Sequence, residues 1–481
     1  MSSISPAAPS ATPASPASAA PAAPHDRLRV HQLAAFGVGG VPYNLGVESL
    51  KNLANPIFNI VLGVNPAVIG TMHMLARFWD AFTDPVMGSI SDNSRSRWGR
   101  RRPFIAAGAV LSALSFPLIW MVPASADTTF AAGWFLVTSL LFYTCFTVFS
   151  VPFFSLSLEL SPDYHERTRV TAARALFATL TSLIIAWAFK LAQLDIFPDT
   201  LTGMRWVGVG MGLMFLLGGL PPALFLRERY QKLAQRQPKM PLLPSARATL
   251  VSVPFRVILG ISVCMVLGVN TFNALGIYVN TYHVFGGDTK QAAMMLGLTA
   301  SISLPVAGLS IPTITWTAGR FGKSNAMRIC LGFGLVAGAL KWVLFDPAHP
   351  YWQLALPIFL VPASSGFWVL LHSMKADVCD EDELRCGQRR EGMFGAVSGW
   401  VHKLAASITF TLSGLVLVAT GFDQALGAAQ NPEAILRLRV YFSLAPCAFF
   451  ATCLVLLAFY RLGPSEMGAI RRELEARRAA V

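Results

Sequence analysis

The feature that most constrains this chain is a succession of long apolar runs, separated by short polar breaks, from about residue 31 to residue 460. A helix needs about 20 predominantly apolar residues to cross the hydrocarbon core of a bilayer. Twelve runs meet or approach that length: 31–61, 66–91, 103–123, 129–158, 170–190, 205–226, 254–285, 290–318, 326–344, 351–374, 393–420 and 438–460. Turn-forming residues mark the breaks, as in Gly63-Val64-Asn65-Pro66, Gly286-Gly287-Asp288 and Asp346-Pro347. A transmembrane β-barrel alternates apolar and polar residues in segments of about ten. These runs are too long and too uniform for that, so the pattern predicts an all-α membrane protein of twelve transmembrane helices. Composition agrees: 13% of residues are charged, against about 25% in an average soluble protein, and the mean hydropathy is +0.53.

A net charge of +13 raises nucleic acid as a partner, and the placement of the charge argues against it. Arg95, Arg97, Arg100, Arg101 and Arg102 crowd the second break, and Arg471, Arg472, Arg477 and Arg478 end the chain. Alternate breaks are poor in Lys and Arg, holding Lys190, Arg205, Lys290, Arg437 and Arg439. Such asymmetry marks the cytoplasmic side of a multi-pass protein and predicts that both termini lie there. The expected location is a cell membrane, a bacterial inner membrane, with the lipid bilayer as partner and no nucleic acid.

Residues 1–27, rich in Ala, Pro and Ser, lack the basic start and apolar core of a signal peptide and read as a disordered tail. The seven cysteines show neither paired spacing nor a histidine set for zinc, so no disulfide and no resident metal is expected. The longest polar break divides the runs into six and six. This predicts an N-terminal bundle over 28–227, a cytoplasmic linker over 228–253, a C-terminal bundle over 254–461 and a cytoplasmic tail over 462–481. Two six-helix bundles around a central path are the plan of the major facilitator fold. Gly99-Arg100-Arg101 after the second run is echoed by Gly319-Arg320-Phe321-Gly322-Lys323 after the eighth. Gly322-Lys323-Ser324 ends like a phosphate-binding loop, but Thr317 stands where that loop needs glycine, so the chain carries no ATP-driven motor of that type. It has no H-E-x-x-H or G-x-S-x-G either, and an enzyme is not expected.

The second run carries the chemistry. His73, Arg77, Asp80 and Asp84 are spaced three or four apart, so they share one helix face. An ionised Asp at the centre of a membrane helix costs about 2.5–3.5 kcal/mol on insertion scales. A face with two of them must therefore look into protein or a wet cavity. Two carboxylates one turn apart, with the Thr83 hydroxyl between them, offer oxygen ligands to a small monovalent cation. Pro85 removes the usual partner of a carbonyl near Ala81, a further oxygen. An Arg–Asp pair that merely holds helices together needs one Asp; the second argues for an ion.

The residues Arg77-x-Trp79-Asp80-Ala81-x-Thr83-Asp84-Pro85-x-Met87-Gly88, followed by Ser94-Arg95-Ser96-Arg97-Trp98-Gly99-Arg100, resemble the glycoside–pentoside–hexuronide:cation symporters, the melibiose permease-like group. Two further blocks share the likeness. One is Val151-Pro152-Phe153-Phe154-Ser155 with Glu159-Leu160-Ser161-Pro162-Asp163 and the residues to Arg169. The other is Ala376-Asp377-x-x-Asp380-x-x-Glu383 with Gly387-x-Arg389-Arg390-Glu391-Gly392, ending at Lys403.

The resemblance implies a cation-coupled secondary transporter of a sugar, glycoside or similar small polar solute, working by alternating access as a monomer. It implies no cofactor beyond a coupling cation, sodium or a proton. It assigns Asp80, Asp84, Thr83 and Thr147 to the cation, and Arg174, Trp368 and Lys403 to solute binding or charge pairing. Where galactoside-carrying members have carboxylates on helices one and four, this chain has Asn44 and Ser150, which puts galactoside specificity in doubt. Glu48 and Lys51, three apart, form either an ion pair or part of a site for another ligand with Asn44. Asn270 and Asn273 offer hydroxyl partners on the seventh run, or pack helices. Arg77 is a charge-pairing residue. Arg100 and Arg101 on one half face the acids Asp377 and Asp380 on the other as a candidate inner gate, or else serve topology alone. The alternatives are the same fold carrying a lipid-like or drug-like amphiphile, or a non-transporting membrane sensor.

Overall fold

The computed structural model describes residues 28–94, 96–160, 164–226, 249–387, 391–423, 426–427 and 429–479. The expected tail 1–27, most of the linker (228–248) and the residues Arg95, Ser161, Pro162, Asp163, Arg389 and Arg390 of the family-like blocks lie outside them. The described elements are all helical, with no strand among the described residues.

In the first half, α1 (30–61) comprises Val30–Val38, Gly40–Ala54 and a π-helical end, Asn55–Val61. It is followed by α2 (Pro66–Asn93), α3 (Arg102–Leu118), α4 (Thr128–Glu159), α5 (Tyr164–Leu191) and α6 (Thr200–Phe225). In the second half, α7 covers Val253–Val284, then α8 (Thr289–Phe321), α9 (Lys323–Leu344), α10 (Pro357–Cys386), α11 (Glu391–Ala419) and α12 (Pro432–Ala458). Each of the twelve runs thus falls on a helical stretch, and nine of these stretches are long and apolar enough to cross a membrane, among the described residues. Helix starts follow local chemistry: Asn65 accepts from the Ala67 N–H at 2.9 Å with Pro66 at the first position, and Asp127 and Asp199 cap α4 and α6 in the same way.

The leading helices of the two halves are the irregular ones. In α1 the π-helical end begins beside Pro56, which has no N–H to give the preceding turn. In α7 regular helix ends at Cys264, a π-helical segment Met265–Val269 follows, and the backbone breaks again between Asn273 and Gly276. Interrupted helices at matching places in two repeats mark the binding region of many transporters.

An aromatic core holds the first half together, with Phe116, Trp120, Phe142, Phe149, Phe153 and Phe215 fully buried; the second half packs around Phe255, Phe367, Phe450 and Leu331. Between the halves α2 packs along α11, and α5 along α8. The α2–α11 seam depends on two glycines. A Cβ on Gly70 would stand 2.2 Å from the Phe410 carbonyl oxygen, and one on Gly414 would stand 2.3 Å from that of Pro66. Above the seam His73 stacks on Phe410 with ring centres 3.9 Å apart. Nearby, Tyr278 donates to Asn59 Oδ1 at 2.8 Å and Trp187 Nε1 donates to Ser301 Oγ at 3.1 Å. Lys290 meets Asp195 at 2.5 Å and holds that exposed carboxyl below its usual range. These contacts cluster at the end of the molecule that carries the breaks after α1, α5 and α7.

The segment read as a cytoplasmic tail over 462–481 contains a further helix, α13 (Pro464–Ala479). Met467 and Leu474 are buried on one of its faces, and Arg477 donates to the Leu384 carbonyl of α10 at 3.0 Å. The polar composition concealed a short amphipathic stripe.

Candidate functional site

On α2, helical spacing stacks Arg77, Asp80 and Asp84 toward α4 and α11. Asp80 is 2% exposed. Thr147 on α4 supplies a hydroxyl 3.0 Å from Asp80 Oδ1 and 3.2 Å from Asp84 Oδ1, and Thr83 Oγ1 lies 3.3 Å from it. The Thr83 hydroxyl also lies 3.2 Å from the Asp80 carbonyl. Arg77 Nη1 forms an ion pair with Asp80 Oδ2 at 3.1 Å. From the other half, Lys403 Nζ comes to 3.4 Å from Asp80 Oδ2 and bonds Asp84 directly. The four expected cation ligands and both expected basic partners therefore converge on one place.

Two neighbouring cavities open around this cluster. One, of about 460 Å³, is lined by Tyr43, Asp84, Ser150, Phe154, Trp400 and Lys403. The other, of about 420 Å³, is lined by Glu48, Lys51, Asn270, Asn273, Trp368 and His402. Val47 and Arg77 line both. Each cavity takes walls from both halves, as a central solute path requires, and each mixes aromatic faces with a few polar groups.

Glu48 and Lys51 pair at 3.2 Å and remain partly exposed on the second cavity wall. Arg174 lies over the rings of Tyr43 and Phe154, at 5.3 and 5.5 Å, so it backs the wall of the first cavity. Trp368 meets His402 edge-on at 5.5 Å. Asn44 departs from the solute-binding expectation: its amide donates to the Ala178 carbonyl at 2.8 Å and to Ser182 Oγ at 2.9 Å, both on α5. It lines neither cavity and holds α1 to α5; a polar residue on an apolar helix did not reveal which face it occupies.

Three of the residues expected at an inner gate have a partner on their own half. Arg100 and Arg101 lie 3.7 and 3.1 Å from Asp92, and Lys323 donates to Asp377 at 2.7 Å. Asp380 stands half-buried one turn beyond Asp377.

Sequence reasoning missed Tyr143. It is fully buried on α4, its hydroxyl lies 3.1 Å from His73 Nε2, and its ring lies 5.0 Å from the Arg77 guanidinium. The signal was its place four residues before Thr147, on the same helix face. Trp400 and His402, beside Lys403, were missed as well.

A family profile described as MFS/sugar transport protein matches residues 35–464. The isoprimeverose transporter of Lactiplantibacillus pentosus is 25% identical over 88% of this chain and 87% of its own. The glucuronide carrier protein homolog of Escherichia coli is 24% identical over 94% of this chain and 97% of its own. Among solved structures, a bacterial homolog of the human lysosomal transporter Spinster, inward-facing and unoccupied, superposes with a TM-score of 0.64 at 14% identity, covering 93% of this chain and 98% of that one.

Proposed function

Because the chain belongs to the MFS/sugar transport protein family, we propose that it is a membrane symporter moving a sugar or glycoside together with a monovalent cation. The observation that carries this reading is the cluster in which Asp80 and Asp84 share the Thr147 hydroxyl and are held by Lys403 from the opposite half. The names of the two relatives, a transporter of isoprimeverose and a glucuronide carrier homolog, support the solute class.

Asp80, Asp84, Thr83 and Thr147 are the cation ligands in this reading. A proton needs one carboxylate, whereas two carboxylates with two hydroxyls suit a metal cation of sodium size, which replaces its hydration shell with oxygens. Without the cation, Arg77 and Lys403 balance the two acids. An arriving cation takes the carboxylates over and frees the Lys403 ammonium, so cation occupancy alters a contact between the halves. Solute and cation then favour each other's binding, as linkage requires.

Solute binding falls to the two cavities, with Trp368 offering a flat face to sugar C–H groups and Glu48, Lys51, Asn270, Asn273 and Arg174 bonding its hydroxyls or charges. With both termini inside, the α2–α11 and α5–α8 contacts close the outer mouth, and the cavity beside Asp84 opens inward. Arg100, Arg101, Asp377 and Asp380 then border the inner mouth. One charge moving through about 100 mV releases about 2.3 kcal/mol, which supports a solute gradient of roughly fifty-fold at about 1.36 kcal/mol per factor of ten.

The test is uptake into membrane vesicles under an imposed sodium or proton gradient. Accumulation that responds to sodium and is abolished in Asp80→Asn and Asp84→Asn is expected; accumulation persisting in both variants removes the coupling role.

A further inference from the structure

α8 and α9 are joined through one residue, Gly322, whose φ of +83° turns the chain between Phe321 and Lys323. Both helices then pack along α10 and touch each other far less. They splay from the turn and leave a groove of about 480 Å³ between them, with α10 as its floor. Its walls carry Leu309, Thr313 and Thr317 of α8, Ile329 and Phe333 of α9 and Ile358 of α10. Underneath, Cys330 and Ile314 close on Gly366 of α10, where a Cβ would stand 2.5 Å from the Cys330 sulfur. Leu309 is 75% exposed, and Ile329, Phe333 and Ile358 are exposed with it, so in a membrane this face meets hydrocarbon. The hydroxyls of Ser310, Thr313 and Thr317 bond carbonyls one turn back in α8. The walls therefore offer apolar surface rather than free hydrogen-bonding groups.

The end of the groove nearest the turn is charged. Positions 306, 310, 313, 317 and 320 recur at spacings of three and four, so Arg320 continues the groove's own stripe on α8. Arg320 and Lys323 line a further cavity of about 380 Å³ together with Gly319 and Ser324. Lys323 reaches Asp377 at 2.7 Å, whereas Arg320 is exposed and forms no ion pair among the described residues. Exposed Trp316 lies one turn before Arg320, the kind of side chain enriched where hydrocarbon gives way to headgroups. From Val306 to Thr317 the groove follows about 16 Å of helix, and half a hydrocarbon core is about 15 Å thick. A charge bias that sets topology calls for arginine at this end of the helices, but not for an apolar groove leading away from it.

We propose that this groove holds one phospholipid with an anionic headgroup, its acyl chain between α8 and α9 and its phosphate on Arg320. The guanidinium fork matches phosphate oxygens, and basic pockets between membrane helices select anionic headgroups in this way. The lipid bridges α8 and α9 where they touch each other least. The groove shares no lining residue with the two solute cavities, so its occupant does not depend on which solute or cation is carried.

Native mass spectrometry of the detergent-purified protein, titrated with dioleoylphosphatidylglycerol or dioleoylphosphatidylcholine, gives the dissociation constant of the first bound lipid. The two lipids share their chains and differ in net charge. Phosphatidylglycerol is expected to bind at least fivefold more tightly. Arg320→Gln should bring the two constants within twofold of each other. Arg328→Gln, on α9 but off the stripe of Ala326, Ile329, Cys330 and Phe333, should keep the preference. Thr313→Trp fills the groove from an exposed position and should weaken phosphatidylglycerol at least fivefold with no change of charge. Equal constants for the two lipids in the wild-type protein, a preference that survives Arg320→Gln or is lost equally in Arg328→Gln, or unchanged binding in Thr313→Trp overturns the proposal. Displacement of phosphatidylglycerol by an equal concentration of glycerol 3-phosphate overturns it as well, because the site then takes a free phosphate rather than a lipid.

Discussion

Lys403 on α11 bonds Asp84 on α2, so a charge from the second half of the molecule sits on an acid of the first. A buried pair broken by removing one partner costs about 3–5 kcal/mol, because the other charge is left uncompensated. Lys403→Ala is therefore expected to lower the melting temperature of detergent-purified protein in choline chloride by several degrees. Sodium chloride should restore most of the loss, since sodium takes the place of the missing ammonium. Thermal melts in the two salts, compared with wild type, check this; a loss that sodium does not reverse contradicts the exchange of lysine for cation.

The variants of the two acids should differ in stability, though the proposed mechanism gives both acids a part in coupling. Asp80 is paired with Arg77 as well as Lys403, whereas Asp84 has Lys403 and the Thr147 hydroxyl. Asp80→Asn leaves the Arg77 guanidinium without its carboxylate, and is expected to be the less stable variant by about 3 kcal/mol or more. Chemical denaturation of the two variants side by side gives the order.

Thr147→Val keeps the shape of the side chain and removes the hydroxyl that lies 3.0 and 3.2 Å from the two carboxylates. A hydrogen bond to a charged group is worth about 1.5–3 kcal/mol, so sodium affinity should fall by about tenfold or more. Sodium titrations followed by calorimetry measure it, and an unchanged affinity excludes Thr147 as a ligand.

Gly70 has no room for a side chain against the Phe410 carbonyl, so Gly70→Val should part α2 from α11 at that end. In a cysteine-free background, a thiol introduced by Asn273→Cys should then react at least tenfold faster with a membrane-impermeant reagent added outside. Equal rates contradict the assignment of that seam to the outer mouth.

The Asp195–Lys290 contact gives a pH dependence with a definite sign. The Lys290 ammonium depresses the Asp195 carboxyl, so the contact is complete above the ordinary Asp range of about 3.9 and is lost as the pH falls through the lowered value. Hydrogen exchange in the residues joining α5 to α6 and α7 to α8 should be independent of pH effects on this pair between pH 5 and 8, once corrected for intrinsic rates. Asp195→Asn should raise exchange there at pH 7, and a silent variant excludes the contact as a latch.

The helices and the α2 constellation were legible in the sequence because both follow from one-dimensional periodicity. Apolar run length marks a span, and spacings of three and four place His73, Arg77, Asp80 and Asp84 on one stripe. Thr147 and Lys403 were reached through family-like motifs, since nothing local to α4 or α11 says that they meet α2. Asn44 shows the limit: its neighbours in sequence suited a solute site, but its rotation about the helix axis directs the amide to α5. The pairing of Lys341 with Asn273 was out of reach for a similar reason, because it joins helices 68 residues apart in the chain. The docked α13 was hidden by a largely charged composition, in which Met467, Ile470 and Leu474 recur at helical spacing without forming an apolar run.

A hydroxyl owns one hydrogen, and Thr147 stands between two carboxylate oxygens that each want it, one from Asp80 and one from Asp84. However it rotates, one of the two carboxylates is left facing an oxygen lone pair at 3.0 or 3.2 Å. In the proposed symport cycle the co-transported cation is the guest that ends this quarrel. On that proposal the pocket is made receptive by a discord among its own oxygens.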